Sequence, residues 1–300
     1  MNTGAARDAA MLPTARTLVA GAAARFATAG IVSARLDAEL LLGSVVGWTR
    51  AQLAARRDEK MLPAVAACFE DLVSRRERRE PVAYILGRRE FFGREFRVTP
   101  DVLIPRPETE TVVEALLSRL SRNADVLDIG TGSGAIAVTV AAERPDVRVT
   151  ATDTSPAALE IAAANAAAAG VSARVRFLKA DLFPVVAGFR FDAIVSNPPY
   201  IAEGVDLPPQ VANYEPHLAL FGGRDGLGII RRIFLGARSL LVPGGLLVME
   251  IGEDQGEQVR ELAFPAGYGS VEILPDLSGA DRMIRCLWPG GNPEQEAAGG

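Results

Sequence analysis

The sequence predicts an α/β fold: a mostly parallel sheet covered by helices, preceded by a small helical domain. Three observations carry this. Before about residue 84 apolar residues recur at helical spacing and no strand-like alternation occurs. From about residue 108, short β-branched runs alternate with helical stretches, the pattern of a parallel sheet with helices on both faces. Of the 300 residues, 49% are apolar and 23% charged, which is enough to bury a core in each part.

The first helix is written in Leu18, Val19, Ala22 and Phe26, with Gly30 as its stop. Ser33 is placed to cap a second, whose apolar face reads as Leu36, Leu40, Leu41 and Val45. Thr49 is placed to cap a short third helix. Val65, Phe69, Leu72 and Val73 give a fourth with one buried face. The run Ser74-Arg75-Arg76-Glu77-Arg78-Arg79 ends it and reads as a solvated helix face, the alternative being a contact for an anionic partner. Residues 1–86 therefore form a helical domain.

Residues 87–107 are a connector of defined shape. Two short aromatic-rich runs flank Gly93, from Phe91 to Val98, and suggest a hairpin. Pro100, Pro105 and Pro107 end it and are expected to exclude regular structure nearby. Residues 108–289 carry the strands Val126–Ile129, Val147–Thr152, Val175–Leu178, Ala193–Ser196 and Leu246–Ile251, with Arg282–Trp288 as a further candidate. Helical patterns lie near 134–143, 156–169 and 227–241. The tail 290–300 has little to bury and is expected to be disordered.

Composition removes several kinds of chemistry. Cys68 and Cys286 lie far apart and have no metal or redox spacing. His217 is the single histidine, so a zinc site built on several histidines is excluded. A Ser-His-Asp hydrolase would have to use it, with no Gly-x-Ser-x-Gly elbow to serve. No run approaches the roughly 18 apolar residues of a membrane span. Asp8, Arg16 and Arg25 interrupt every candidate signal peptide, so a cytoplasmic protein is expected. The net charge of −5 is uneven, at +3 over residues 1–86 and −8 over the rest. The larger part lacks the basic surface of a duplex-binding protein.

Two segments carry the chemistry. Asp128-Ile129-Gly130-Thr131-Gly132-Ser133-Gly134 follows a strand and opens a helix, and Asp153 ends the next strand. Glycines there permit a tight turn and close approach of a ligand to the backbone. An acid at Asp153 can accept bonds from both hydroxyls of a ribose, so a dinucleotide or a nucleoside fits. The spacing is Gly-x-Gly-x-Gly and not Gly-x-Gly-x-x-Gly. An acid at the mouth of the loop, Asp128, would repel a pyrophosphate and suit a cation. Both points favour S-adenosylmethionine over a dinucleotide or a merely structural turn. Asp181, after the third strand, is placed to bond an adenine amino group while Leu182 packs on the ring; a helix-capping role is the alternative.

The second segment, Asn197-Pro198-Pro199-Tyr200, follows the fourth strand and so faces the same crevice. Each proline restricts the residue before it, which holds Asn197 and Pro198 extended. The result is a fixed pair of acceptors, the Asn197 side-chain oxygen and the Pro198 carbonyl. Such a pair suits an NH2 on an sp2 carbon, whose delocalised lone pair makes it a poor nucleophile. Two accepted N–H bonds turn that lone pair toward a methyl group, and Tyr200 can lie against the flat amide or base. Positioning of this kind supplies about 7–11 kcal/mol of a barrier and needs no tuned general base.

These residues, with others outside the two motifs, resemble the bacterial release-factor glutamine methyltransferases. The further matches are Glu80-Pro81-Val82-Ala83-Tyr84-Ile85-Leu86-Gly87, Glu90-Phe91-Phe92-Gly93 and Val102–Glu110 in the connector. Downstream, Glu215-Pro216, Ala219–Gly223, Asp225-Gly226-Leu227, Pro243-Gly244-Gly245, Glu250-Ile251-Gly252 and Gln255-Gly256 match again. The resemblance runs from about residue 12 to 288. It implies a Rossmann-like class I methyltransferase sheet of seven strands behind an N-terminal helical domain; that domain holds no motif for chemistry and carries the only net positive charge, so it is expected to dock the substrate. It implies S-adenosylmethionine at Gly130–Gly134, Asp153, Asp181, Leu182 and Asn197, and no metal. It implies methylation of the glutamine of a release factor's Gly-Gly-Gln loop at Asn197, Pro198, Pro199 and Tyr200; the acidic charge of the larger part argues against direct contact to nucleic acid. Arg106, Thr109 and Glu110 fall where that family's connector closes over the cofactor. The alternatives are an N-methyltransferase acting on adenine or guanine in nucleic acid, since such enzymes share Asn-Pro-Pro-Tyr, and a non-catalytic cofactor-binding module.

Overall fold

The structure, a computed structural model, describes residues 12–185 and 188–290. Of the tail expected to be disordered, all but Gly290 lies outside the described residues. The described residues divide into a helical unit, residues 12–87 with 208–214, and a sheet unit made of the other described residues.

In the helical unit, helix α1 (Ala15–Thr28) buries Ala15, Val19, Ala22 and Phe26 and gives way to Gly30 at φ +72°. Helix α2 (Ala34–Val46) differs from its sequence reading. It buries Ala38, Leu41 and Leu42, whereas Leu36 and Leu40 are exposed. The reason is a buried charge. Asp37 lies on the inner face and accepts from Arg76 Nε at 2.8 Å, and Ser33, the expected cap, spends its hydroxyl on the same carboxylate. Arg76 is therefore not a solvated member of its basic run; it is 6% exposed. Helix α3 (Arg50–Ala55) starts on a reciprocal cap between Thr49 and Gln52. Helix α4 (Pro63–Glu77) buries Phe69 and Val73, and the short α5 (Val82–Leu86) ends at Gly87 in the left-handed region. The segment Pro208–Tyr214 adds a one-turn helix, Pro209–Ala212, and Tyr214 donates to the Arg78 carbonyl at 2.7 Å.

The sheet unit opens with the hairpin read from the sequence, β1 (Arg88–Phe91) and β2 (Arg94–Arg97). Phe92 and Gly93 both take positive φ at its turn, the geometry of a type I′ two-residue hairpin. Its inward aromatics, Phe91 and Phe96, join the core of the large sheet. Helix α6 (Thr109–Leu117) follows two residues after Pro107, where the prolines had argued against regular structure. Proline restricts only its own φ and the residue before it, so a helix beginning at Thr109 is free to form. Then come β3 (Asp125–Ile129), α7 (Ala135–Glu143), β4 (Arg148–Asp153), α8 (Pro156–Ala168), β5 (Val175–Lys179) and β6 (Phe191–Ser196). Last are α9 (Gly228–Leu240), β7 (Leu241–Glu250), α10 (Gly256–Ala263), β8 (Gly269–Pro275) and β9 (Asp281–Trp288).

The strand order is β5-β4-β3-β6-β7-β9-β8, parallel from β5 through β7 and antiparallel at β9 and β8. The seven strands match the architecture expected. β3 and β6 are neighbours whose connections run to opposite sides of the sheet, which opens a crevice at their carboxyl ends. The residues leaving those ends are Gly130 and Asn197. Leu127, Ile129, Ile194, Leu247 and Met249 pack one face against α9; Val126, Ala193, Val195 and Val248 pack the other. Among the described residues no helix is long and apolar enough to cross a membrane.

Candidate active site

A cavity of about 490 Å³ opens at this crevice. Of the residues singled out from the sequence, Gly130, Thr131, Gly132, Ser133, Asp153, Asp181, Leu182, Asn197 and Pro199 line it, as do Arg106 and Thr109. Three others are placed differently. Gly134 turns away from the cavity; a Cβ there would stand 3.0 Å from that of Ala162, so this glycine lets α7 approach α8. Pro198 is buried. Tyr200 is not part of the lining: its hydroxyl donates to Glu250 Oε1 at 3.2 Å and its carbonyl accepts from Gln255.

The glycine loop leaves open space beside its backbone. Gly130 and Gly132 have φ of +72° and +55°, and an added Cβ would meet nothing within 4 Å at either. The Gly130 and Thr131 amides are tied to the Thr152 carbonyl, and the Gly132 amide donates to Asp153 Oδ2 at 2.9 Å. Asp153 Oδ1 takes the Ser155 amide. Each carboxylate oxygen keeps a further lone pair for a ligand hydroxyl. Leu182 is held at φ +68°, strained for a side chain with a Cβ, and its carbonyl accepts from Thr152 Oγ1 at 2.8 Å.

Asp128 departs from its sequence reading. It is 1% exposed, lies beneath the loop and not at its mouth, and accepts from Thr131 Oγ1 at 2.7 Å. Its Oδ1 is buried without a hydrogen-bond partner. Burial pushes its carboxyl up to about 7, against the Thr131 hydroxyl and the Ala137 amide, which favour the anion. The two arginines that line the cavity are both paired with acids. Arg106 is committed to Glu215 at 2.6 Å and Arg232 to Asp181 at 2.8 Å. A ribose-bearing cation fits these residues, with Asp153 at the cavity wall to accept ribose hydroxyls and Asp181 to face a positive charge.

The connector residues have defined partners. Glu215 is buried and also accepts the Ile104 amide, so with Arg106 it ties the connector down beside the cavity. Glu110 accepts the Phe92 amide and braces the hairpin turn. Thr109 donates to Glu250 Oε2 at 2.6 Å and accepts from Asn197 Nδ2 at 3.1 Å. Glu250, at the end of β7, is 1% exposed and pushed up to about 7 by burial, opposed by its bonds from Thr109 and Tyr200. Sequence reading gave it no role beyond a family match; the available signal was an acid ending a strand before a glycine. Tyr200 is itself driven well above the usual phenol range by burial and by the Glu250 charge. Among the described residues no cluster of His, Cys, Asp and Glu is arranged to hold a metal ion.

Comparison with known proteins matches this geometry to a family. Residues 17–87 match the family model described as PrmC N-terminal domain, and residues 107–213 the one described as Methyltransferase small domain. A release factor glutamine methyltransferase of Moorella thermoacetica is 46% identical over 276 residues, which cover 90% of this chain and 97% of that one. That of Cereibacter sphaeroides is 48% identical over 267 residues, 88% of this chain and 95% of its own. Among solved structures, a methyltransferase from Pyrococcus furiosus superposes with a TM-score of 0.52 at 23% identity, over 67% of this chain and 91% of its own. The hMettl16 catalytic domain superposes with 0.54 at 19% identity, over 74% and 83%. These two likenesses concern the fold alone. With both parts of the chain matched and nearly half of the residues identical along almost the whole of each relative, the chain belongs to the release factor glutamine methyltransferase family.

Proposed function

We propose that this protein transfers a methyl group from S-adenosylmethionine to the side-chain amide nitrogen of the glutamine in the Gly-Gly-Gln loop of peptide chain release factors. The observation that carries the reading is that Asn197 and the glycine loop line one cavity, in a chain of this family. Bound there, S-adenosylmethionine supplies an electrophilic methyl group on a sulfonium. The protein's part is placement. Gly130 and Gly132 open their backbone to the ligand, Asp153 accepts ribose hydroxyls, and Asp181 and Leu182 meet the base. Asn197 Oδ1 and the Pro198 carbonyl accept the two N–H bonds of the substrate amide, which frees its lone pair from conjugation. Pro199 and Tyr200 fix the shape of that segment. Charge favours a protein substrate over nucleic acid: the residues after 86 carry −8, and phosphate contacts normally supply much of nucleic-acid affinity. The helical unit, with its net positive charge, docks the release factor away from its glutamine, and the reaction belongs in the cytoplasm.

The test is incubation with labelled S-adenosylmethionine and purified release factor, beside tRNA, rRNA and DNA. Label is expected in the factor only, and to vanish when its Gly-Gly-Gln glutamine is changed to alanine. Undiminished labelling of that variant, or label in a nucleic acid, overturns the assignment.

A further inference from the structure

We infer that Thr109 and Glu250 are positioning residues that fix which end of the Asn197 carboxamide faces the substrate. This rests on the role given to Asn197 above. An asparagine side chain is nearly symmetric in shape and can present either an acceptor or two donors. A site for an NH2 group needs the acceptor, because a donor there would meet the substrate's N–H head-on. Asn197 by itself does not make that choice.

The chain of hydrogen bonds makes it. A threonine hydroxyl has one proton. At Thr109 that proton goes to Glu250 Oε2 at 2.6 Å, a charge-assisted bond in a buried site. Toward Asn197 the hydroxyl can then only accept, so it takes Nδ2 at 3.1 Å. Oδ1 is left as the acceptor for an incoming N–H. Tyr200 holds the other carboxylate oxygen, which fixes Glu250 in turn and ties the same relay to the end of the Asn-Pro-Pro-Tyr segment. Two elements, the start of α6 and the loop after β6, thus converge on one carboxylate at the end of β7.

The relay has a direction, and the direction depends on the proton of Glu250. A neutral Glu250 donating to Thr109 turns the hydroxyl around, so that it donates toward Asn197. The carboxamide then rotates to offer Oδ1 to Thr109 and Nδ2 to the substrate, the wrong way round. The groups acting on Glu250 are Thr109, Tyr200 and Arg282, which favour the anion, and Glu108, which opposes it. Its burial sets the transition near neutrality.

The test uses the full chain and its release-factor substrate, with five variants, one of them double, read for kcat at saturating cofactor and for cofactor Kd. Asn197→Ala establishes the underlying reading. Thr109→Val keeps the shape and removes the hydroxyl; kcat is expected to fall on the order of 10-fold to 100-fold, since a misaligned reacting group is that costly, with Kd changed less than about twofold. Thr109→Ser should recover most of the loss. Combined with Asn197→Ala, Thr109→Val should cost nothing further. In Glu250→Gln the acid limb of the wild-type kcat profile should disappear. If Asn197→Ala is severely impaired while Thr109→Val is not, the relay is wrong and the role of Asn197 stands. If Asn197→Ala is active, that role itself fails. A Thr109→Ser as poor as Thr109→Val, or a parallel loss of cofactor binding, would make Thr109 a packing residue and overturn the relay.

Discussion

The glycine loop and the Asn-Pro-Pro-Tyr segment rest on similar foundations. Under each a buried carboxylate near the end of a strand holds a threonine hydroxyl: Asp128 with Thr131 at 2.7 Å, Glu250 with Thr109 at 2.6 Å. Burial pushes both acids up to about 7. They differ in what lies beyond the threonine. At Asp128 the chain of bonds ends, with one carboxylate oxygen left alone. At Glu250 both oxygens are taken and the threonine passes the order on to Asn197. The first arrangement shapes a backbone turn, whereas the second aims a side chain. A ligand held by main-chain groups and ribose contacts needs only the turn, but a weak nucleophile needs an oriented acceptor.

Substitutions can break this contrast, and the largest effect is expected at Asn197. Asn197→Ala removes the acceptor at the end of the longer chain, and loss of one such contact in the transition state costs about 10²–10³ in kcat. Cofactor affinity, measured by calorimetry, should fall much less, because the glycine loop and Asp153 remain. Comparable losses in both would merge the two regions into one. Asp153→Ala should give the opposite partition. With Asp153 accepting ribose hydroxyls as proposed, its loss, together with the bond from the Gly132 amide, is expected to weaken cofactor binding on the order of 10-fold to 100-fold, with kcat at saturation little changed.

Thr131→Val sharpens the comparison with Thr109→Val. Since Thr131 orders only the turn, a few-fold rise in cofactor Kd is expected with kcat intact; a fall in kcat at saturation would mean that the loop also aims a reacting group. The smallest effect concerns stability. The native carboxyl of Asp128 titrates near 7, well above the value of about 3.9 for an unperturbed aspartate. Between those values the native state binds more protons than the unfolded one. Its stabilising contribution is therefore complete below about pH 4 and is lost as pH rises through 7. Asp128→Asn does not titrate, so its Tm should gain on the wild type by a few degrees between pH 5 and 8. A constant or shrinking difference would show that the acid is ionised throughout.

What the sequence disclosed follows from how each feature is encoded. The glycine loop and the Asn-Pro-Pro-Tyr segment are contiguous, so spacing alone placed Gly130, Gly132, Asp153 and Asn197 about one crevice, as the lining of the cavity has it. The Thr109–Glu250 relay is spread over residues 141 positions apart and has no local signature. Strand β8 has no clear sequence signal because its residues are exposed or only partly covered at a sheet edge, and Val271 and Ile273 are too few to mark a β-branched run. The inner face of α2 was misread because a charged residue, Asp37, occupies a position that patterning assigns to leucine. Asp128 was placed at the mouth of the loop on its position next to the glycines, but strand pleat turns it into the core.

Asn165 has a consequence of another kind. Its carboxamide accepts the Arg97 amide at 2.8 Å through Oδ1 and donates to the Arg97 carbonyl at 3.0 Å through Nδ2, which also reaches the Ser133 carbonyl. In the β1–β2 register Arg97 stands at a pair whose main-chain groups point away from the partner strand. A two-stranded ribbon with free groups on its outer edge is a template for another extended chain. Here one side chain imitates a peptide unit and occupies that template from α8, so the ribbon ends at this residue instead of recruiting a neighbour. An aspartate at 165 would still accept the Arg97 amide but could not donate, and would leave the Arg97 carbonyl without its partner.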